Sequence, residues 1–96
     1  MIIFHGTTDP VISYTCATDA QSKWAARNGC ATTTHSVTVT GGHCDYSDGC
    51  PADGQVVLCS FDNMSHVWAG GTGTFGDATK ASATDLGWSF FKQYAW

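Results

Sequence analysis

Apolar and polar positions follow different rhythms along this chain, and the changes of rhythm divide it into elements. Ile2-Ile3-Phe4 is a short β-branched and aromatic run that halts at His5-Gly6, the pattern of a fully buried strand in a parallel sheet. After a loop holding Pro10, Thr18 and Gln21 stand at capping-box spacing, Trp24 and Ala25 follow, and Asn28-Gly29 supplies a stop, which predicts a helix from about Asp19 to Asn28. Thr34 to Thr40, THSVTVT, alternates and is rich in β-branched residues, so it reads as a half-exposed strand ending at Gly41-Gly42. The next stretch, GGHCDYSDGCPADG, has turn chemistry throughout. Gln55 to Phe61, QVVLCSF, is the strongest strand in the chain, and small residues and glycines from there to about Lys80 read as loop. A final helix starts near Ser82, capped with Asp85 three residues on, and sets Leu86, Phe90 and Tyr94 on one stripe with Phe91 beside them.

The order is strand, helix, strand, strand, loop, helix, with no internal repeat, and residues 1–96 read as a single domain of α/β class. A chain of this length buries only about 60–65% of the surface its unfolded form exposes, so the core is thin. Trp24, Trp88, Phe90 and Phe91 are its expected large members. The net charge of -4 and four Lys and Arg residues supply no basic stripe, which excludes nucleic acid and anionic membrane surfaces as expected partners. No apolar run reaches a membrane span, and MIIFHG is too short and lacks the basic start of a signal peptide. Five cysteines, at positions 16, 30, 44, 50 and 59, show no CxxC pair, so disulfides in an oxidising compartment are favoured over zinc, with one thiol left over.

Functional candidates sit at the carboxyl ends of two strands, the edge at which open α/β sheets bind ligands. IIFHGTTDP places Asp9 in the loop after the first strand, and LCSFDNMSH places His66 in the loop after the Gln55–Phe61 strand. A carboxylate that accepts the Nδ1 proton of an imidazole fixes its tautomer and stabilises the imidazolium, as acid–base chemistry in acyl transfer requires. Asp9 and His66 have the residue types and the placement of such a pair, beside the alternative of an ordinary loop ion pair. His5, at a strand end, reads as a buried, hydrogen-bonded structural residue.

FHGTTDPVISY, WAARNGC, YSDGC, VVLCSFDNMSHVWAGG and SATDLGWSFFKQY together resemble the C-terminal portion of the secreted feruloyl esterases, acetyl xylan esterases and polyhydroxybutyrate depolymerases. The resemblance spans nearly the whole chain. It implies a partial α/β-hydrolase-like sheet with two helices, stapled by disulfides, in a secreted carboxylic-ester hydrolase acting on plant polysaccharides or polyesters. It assigns Asp9 as the triad aspartate and His66 as the triad histidine, and it implies no cofactor or metal. Spacing and the family's matching positions favour bridges Cys30–Cys59 and Cys44–Cys50, with Cys16 reduced. Ser65 and Ala69 stand where relatives often have glycine and proline.

The larger departure is the nucleophile. None of the eight serines lies in a G-x-S-x-G elbow, so the chain reads as the acid-and-base portion of a triad whose serine lies elsewhere. It is then expected to self-associate or to need the missing N-terminal half. Trp68, just past the histidine, is a candidate to line an acyl pocket or stack on a sugar. Two alternatives stand beside this reading. One is a non-catalytic carbohydrate-binding module or remnant using Trp68 and the glycine loop, and the other is a small metal-dependent enzyme built on His5, His43, His66 and the cysteines.

Overall fold

A computed structural model describes residues 1–94. The elements are β1 (Ile2–Gly6), α1 (Tyr14–Asn28), β2 (Thr34–Val39), β3 (Gly42–Ser47), β4 (Val57–Phe61), β5 (Trp68–Ala69), β6 (Gly76–Asp77) and α2 (Ala83–Lys92). The first four strands in space run β1-β4-β3-β2, and β5 and β6 form a separate two-stranded parallel ladder. β1 and β4 are parallel, with Ile2 opposite Val57 and Gly6 opposite Phe61. β3 is antiparallel to both β4 and β2.

This mixed sheet corrects the expected partial α/β-hydrolase-like sheet: only one of its three strand pairings is parallel, and its far half is an antiparallel hairpin. The residues expected to be turn make the difference. Val39 pairs with Gly42, so Thr40 and Gly41 alone connect β2 to β3, and Gly41 turns the chain at φ 74°. β3 is then held between two neighbours despite a composition poor in β-formers, with Cys44 and Tyr46 facing the core and His43 and Asp45 on the opposite side.

Helices cover the two faces of the sheet. On one, Phe90, Ala83, Leu86 and Tyr94 of the α2 segment pack with Val57, Cys59, Phe61, Phe4 and Ile2. On the other, α1 is tied down by Tyr14, whose hydroxyl lies 2.6 Å from Ser60 Oγ, and by Gln21, whose Nε2 donates to the Asp45 carbonyl at 2.8 Å. β4 lies between, buried along its whole length, and Phe61 and Leu58 are each worth about 1.5–3 kcal/mol relative to exposure.

α2 starts as expected, with Ser82 Oγ accepting the Asp85 N–H at 3.1 Å. α1 starts five residues earlier than Asp19, because Ser13 caps it by accepting from Thr15 N–H. The expected capping pair is interior: Thr18 Oγ1 bonds back to the Thr15 carbonyl, and buried Gln21 is engaged with β3. The helix does stop at Gly29, in the left-handed region at φ 77°. Of the aromatic residues expected in the core, Phe90 is buried, Trp24 is half-buried beneath the Arg27 guanidinium, and Trp88 and Phe91 are exposed, because the apolar stripe of so short a helix covers the sheet with only one side.

Two disulfides are present, paired differently from expectation: Cys30 with Cys50, and Cys44 with Cys59. Cys44 and Cys59 stand directly opposite each other on antiparallel β3 and β4, so their side chains meet. The same extended strand carries the chain away from Cys44 at about 3.3 Å per residue and forbids a Cys44–Cys50 turn bridge. Cys50 arrives instead beside Cys30, where the Ala31 N–H bonds the Asp48 carbonyl and the Asp48 N–H bonds the Thr33 carbonyl. Cys16 is free and exposed, on the first turn of α1.

Candidate functional site

Parallel pairing of β1 with β4 delivers the loops after Gly6 and Phe61 to one edge of the sheet. The two loops are zipped together. Thr7 N–H donates to the Phe61 carbonyl at 3.0 Å, Thr8 Oγ1 to the Met64 carbonyl at 3.2 Å, and Asn63 N–H to Thr7 Oγ1 at 2.9 Å. Gly6 is required where they touch, since a Cβ there would lie 2.1 Å from the Met64 carbonyl oxygen. Asn63 sits in the left-handed region at φ 54°, which an asparagine tolerates better than most residues, and turns the second loop toward the first.

The outcome is a hydrogen bond between residues 57 positions apart: His66 Nδ1 stands 2.9 Å from Asp9 Oδ2. Asp9 is held from its other oxygen, where Oδ1 accepts the N–H groups of Val11 at 2.8 Å and Ile12 at 3.0 Å. Withdrawal of the carboxylate from water, with 6% of its side chain exposed, raises its pKa, but the Ile12 N–H, the His66 side chain and the Val11 N–H outweigh this and hold it down to about 2. Asp9 is therefore an anion, an acceptor only, and the His66 proton facing it is on Nδ1. The His66 ring is half-exposed, and its Nε2 makes no hydrogen bond among the described residues.

A cleft of about 420 Å³ opens beside the pair, lined by Phe4, Ile12, Met64, Trp68 and Phe75 as well as by His66 and Asp9. Trp68 stands on its rim, half-exposed, with its indole edge against Phe4 and Nε1–H donating to Thr84 Oγ1 at 3.1 Å. Phe75, in the stretch expected to be loop, joins this wall because β5 and β6 pair and fold residues 70–75 back over the cleft. Its position was hidden in the sequence, where a lone phenylalanine among glycines and threonines carries no period.

No serine hydroxyl is hydrogen-bonded to His66 among the described residues. Ser60 is fully buried and joined to Tyr14, Ser65 is exposed beside the histidine, and Ser13 and Ser82 cap helices. Four of the five cysteines are consumed in disulfides, His43 pairs with Asp45 at 3.3 Å, and no group of three or more metal-ligating side chains is found among the described residues, so the metal-dependent alternative has no assembled site. His5, expected to be a buried, hydrogen-bonded structural residue, keeps 11% of its side chain exposed, and its Nε2 lies 3.9 Å from Asp9 Oδ2.

The site is thus an oriented imidazole at the mouth of an apolar cleft, its outer nitrogen unbonded among the described residues, an arrangement suited to proton transfer. No protein-family model matches the chain, and no curated protein sequence matches it. The two disulfides point to an oxidising environment, and no helix among the described residues is long and apolar enough to cross a membrane.

Proposed function

We propose that this chain supplies the acid and the base of a serine carboxylic-ester hydrolase, with Asp9 orienting His66 and the nucleophilic serine contributed from outside these 96 residues. The observation that carries the reading is the Asp9–His66 hydrogen bond at 2.9 Å, made on the Nδ1 side so that Nε2 is left for a hydroxyl. In the intact reaction His66 Nε2 takes the serine proton as Oγ attacks the ester carbonyl, then returns it to the departing alkoxide; water repeats the cycle on the acyl-enzyme. The resemblance to secreted feruloyl esterases, acetyl xylan esterases and polyhydroxybutyrate depolymerases makes an ester on a plant polysaccharide or a polyester the substrate class, and secretion the location. The apolar wall of Phe4, Trp68 and Phe75 suits an acyl group of that kind.

The experiment is reconstitution. The chain alone should hydrolyse p-nitrophenyl acetate no faster than free imidazole, and mixing with a segment bearing a serine elbow and oxyanion donors from an esterase of the resembling family should produce activity that His66→Ala abolishes. Activity of the isolated chain that His66→Ala leaves unchanged would overturn the proposal. Exposed Trp68 and Phe75 support a second reading, a carbohydrate-binding module, which the same preparation tests: saturable binding of xylan oligosaccharides lost in Trp68→Ala, with no reconstituted activity, would favour it.

A further inference from the structure

Asp9 faces a second imidazole. His5 Nδ1 lies 2.8 Å from the Gly6 carbonyl oxygen, and a carbonyl can only accept, so this nitrogen carries a proton. Its Nε2 is buried, has no hydrogen-bond partner, and lies 3.9 Å from Asp9 Oδ2, the same oxygen that accepts from His66. With a bare Nε2, a buried lone pair is turned toward a carboxylate with no donor among the described residues to satisfy it, a costly state for a buried polar atom. One proton, taken from solvent onto Nε2, replaces that opposition by attraction between unlike charges.

We infer that His5 is a positioning residue for His66, acting through a shared carboxylate: when Nε2 of His5 takes up a proton it draws on Asp9 Oδ2 and weakens the bond that orients His66. The inference rests on the acid–base reading of Asp9 and His66. The balance is one proton gained from water, with no other bond made or broken. The groups facing His5 are few. Asp9 and His66 come from the two loops, and Tyr14 comes from α1, its ring edge-on at 5.9 Å and its hydroxyl committed to Ser60. Across the sheet Ser60 is the register partner of His5 on β4, and His43 stands beyond it on β3, engaged with Asp45. Protonation of two imidazoles on one carboxylate is a coupled titration, and each ring should report the other's proton.

The test follows the ring carbon-bound protons of all four histidines by NMR in the isotopically labelled full chain, from pH 8.5 to 4.5. His66 should shift in two steps, one coinciding with the His5 transition. In His5→Phe, which keeps the ring packed on Tyr14, and in His5→Gln, which keeps a polar end that does not titrate, the His66 curve should lose one of its two steps. Amide spectra establish which variants are folded, and either folded variant suffices. A His66 curve with one step in the native chain, unchanged in a folded His5 variant, overturns the inference. Because the measurement needs no nucleophile, the failure of the coupled titration and the failure of the reconstitution are read separately.

Discussion

Gly6 and Met64 meet backbone to backbone: the space where a side chain on Gly6 would begin lies 2.1 Å from the Met64 carbonyl oxygen. That contact sets the separation of the Asp9 and His66 loops, since Thr8 binds the same carbonyl. Gly6→Ala should force the loops apart and cost at least about 2–3 kcal/mol, at the upper end of overpacking, because neither neighbour is a flexible side chain. Thermal melts measure the loss. A variant as stable as the native chain would mean that the loops are not held as described.

Gly87 offers the opposite case. It lies inside α2, outside the left-handed region, and an added Cβ would meet the Phe4 ring at 3.7 Å, an ordinary contact. Gly87→Ala should therefore gain the helix-propensity difference of about 1 kcal/mol and raise Tm by about 4–8 °C. A lower Tm would show that α2 packs more tightly on β1 than this geometry has it.

Peptide mapping under non-reducing, thiol-blocked conditions should recover Cys30 joined to Cys50 and Cys44 joined to Cys59, and N-ethylmaleimide should label Cys16 without denaturant. The closed loops differ little, with sequence separations of 20 and 15, so the chain-entropy contributions should be similar, about 3 kcal/mol each. The bridges should differ in access: buried Cys44–Cys59 should resist a mild reductant longer than the partly exposed Cys30–Cys50. Recovery of Cys30 with Cys59 would contradict the register of β3 on β4.

Physical reasons separate what the sequence disclosed from what it hid. β1, β4 and α2 are carried by their own apolar runs and, for α2, by the Ser82 cap, so pattern alone locates them. Once β1 and β4 are read as parallel neighbours, Asp9 and His66 fall on one edge, which is why this pair was legible. β3 was not, because His43, Asp45 and Ser47 face away from the core and its pairing is imposed by neighbours on both sides. The Cys44–Cys59 pairing and the mixed sheet both depend on that strand, so they are hidden with it. The approach of His5 to Asp9 depends on a loop returning over the strand end, a relation that residue spacing does not encode.

The sheet ends in β1, which among the described residues pairs only with β4, and beside it α2 exposes Trp88 and Phe91 while the cleft exposes Trp68 and Phe75. An open strand edge next to exposed aromatic surface attracts further chains. The isolated chain should associate as its concentration rises, seen by sedimentation velocity, and Trp88→Glu with Phe91→Glu should reduce that association without unfolding the chain, since both side chains are exposed. A clean monomer at high concentration would show that this surface needs no cover.

Asp9→Asn isolates the central hydrogen bond. The amide oxygen can still accept from Val11 and Ile12, but the amide nitrogen then faces the Nδ1 proton of His66, donor against donor, so the imidazole should move its proton to Nε2. Nitrogen-15 shifts of the ring report that tautomer directly. In the reconstituted enzyme the misplaced proton should lower kcat by about four orders of magnitude, by analogy with other triads. Acid stability supplies an independent check. Asp9 titrates at about 2 in the folded chain against an ordinary 3.8, so folding favours its ionised form; its contribution is full above about pH 4 and is lost as pH falls toward 2. Asp48, lowered by its bonds to His35 and Thr33, and Asp77, lowered by Thr79, act in the same direction. The native chain should therefore lose stability between pH 4 and 2, and Asp9→Asn should flatten that slope without abolishing it. An unchanged slope in Asp9→Asn, with His66 still protonated on Nδ1, would show that Asp9 neither carries the charge nor sets the tautomer assigned to it.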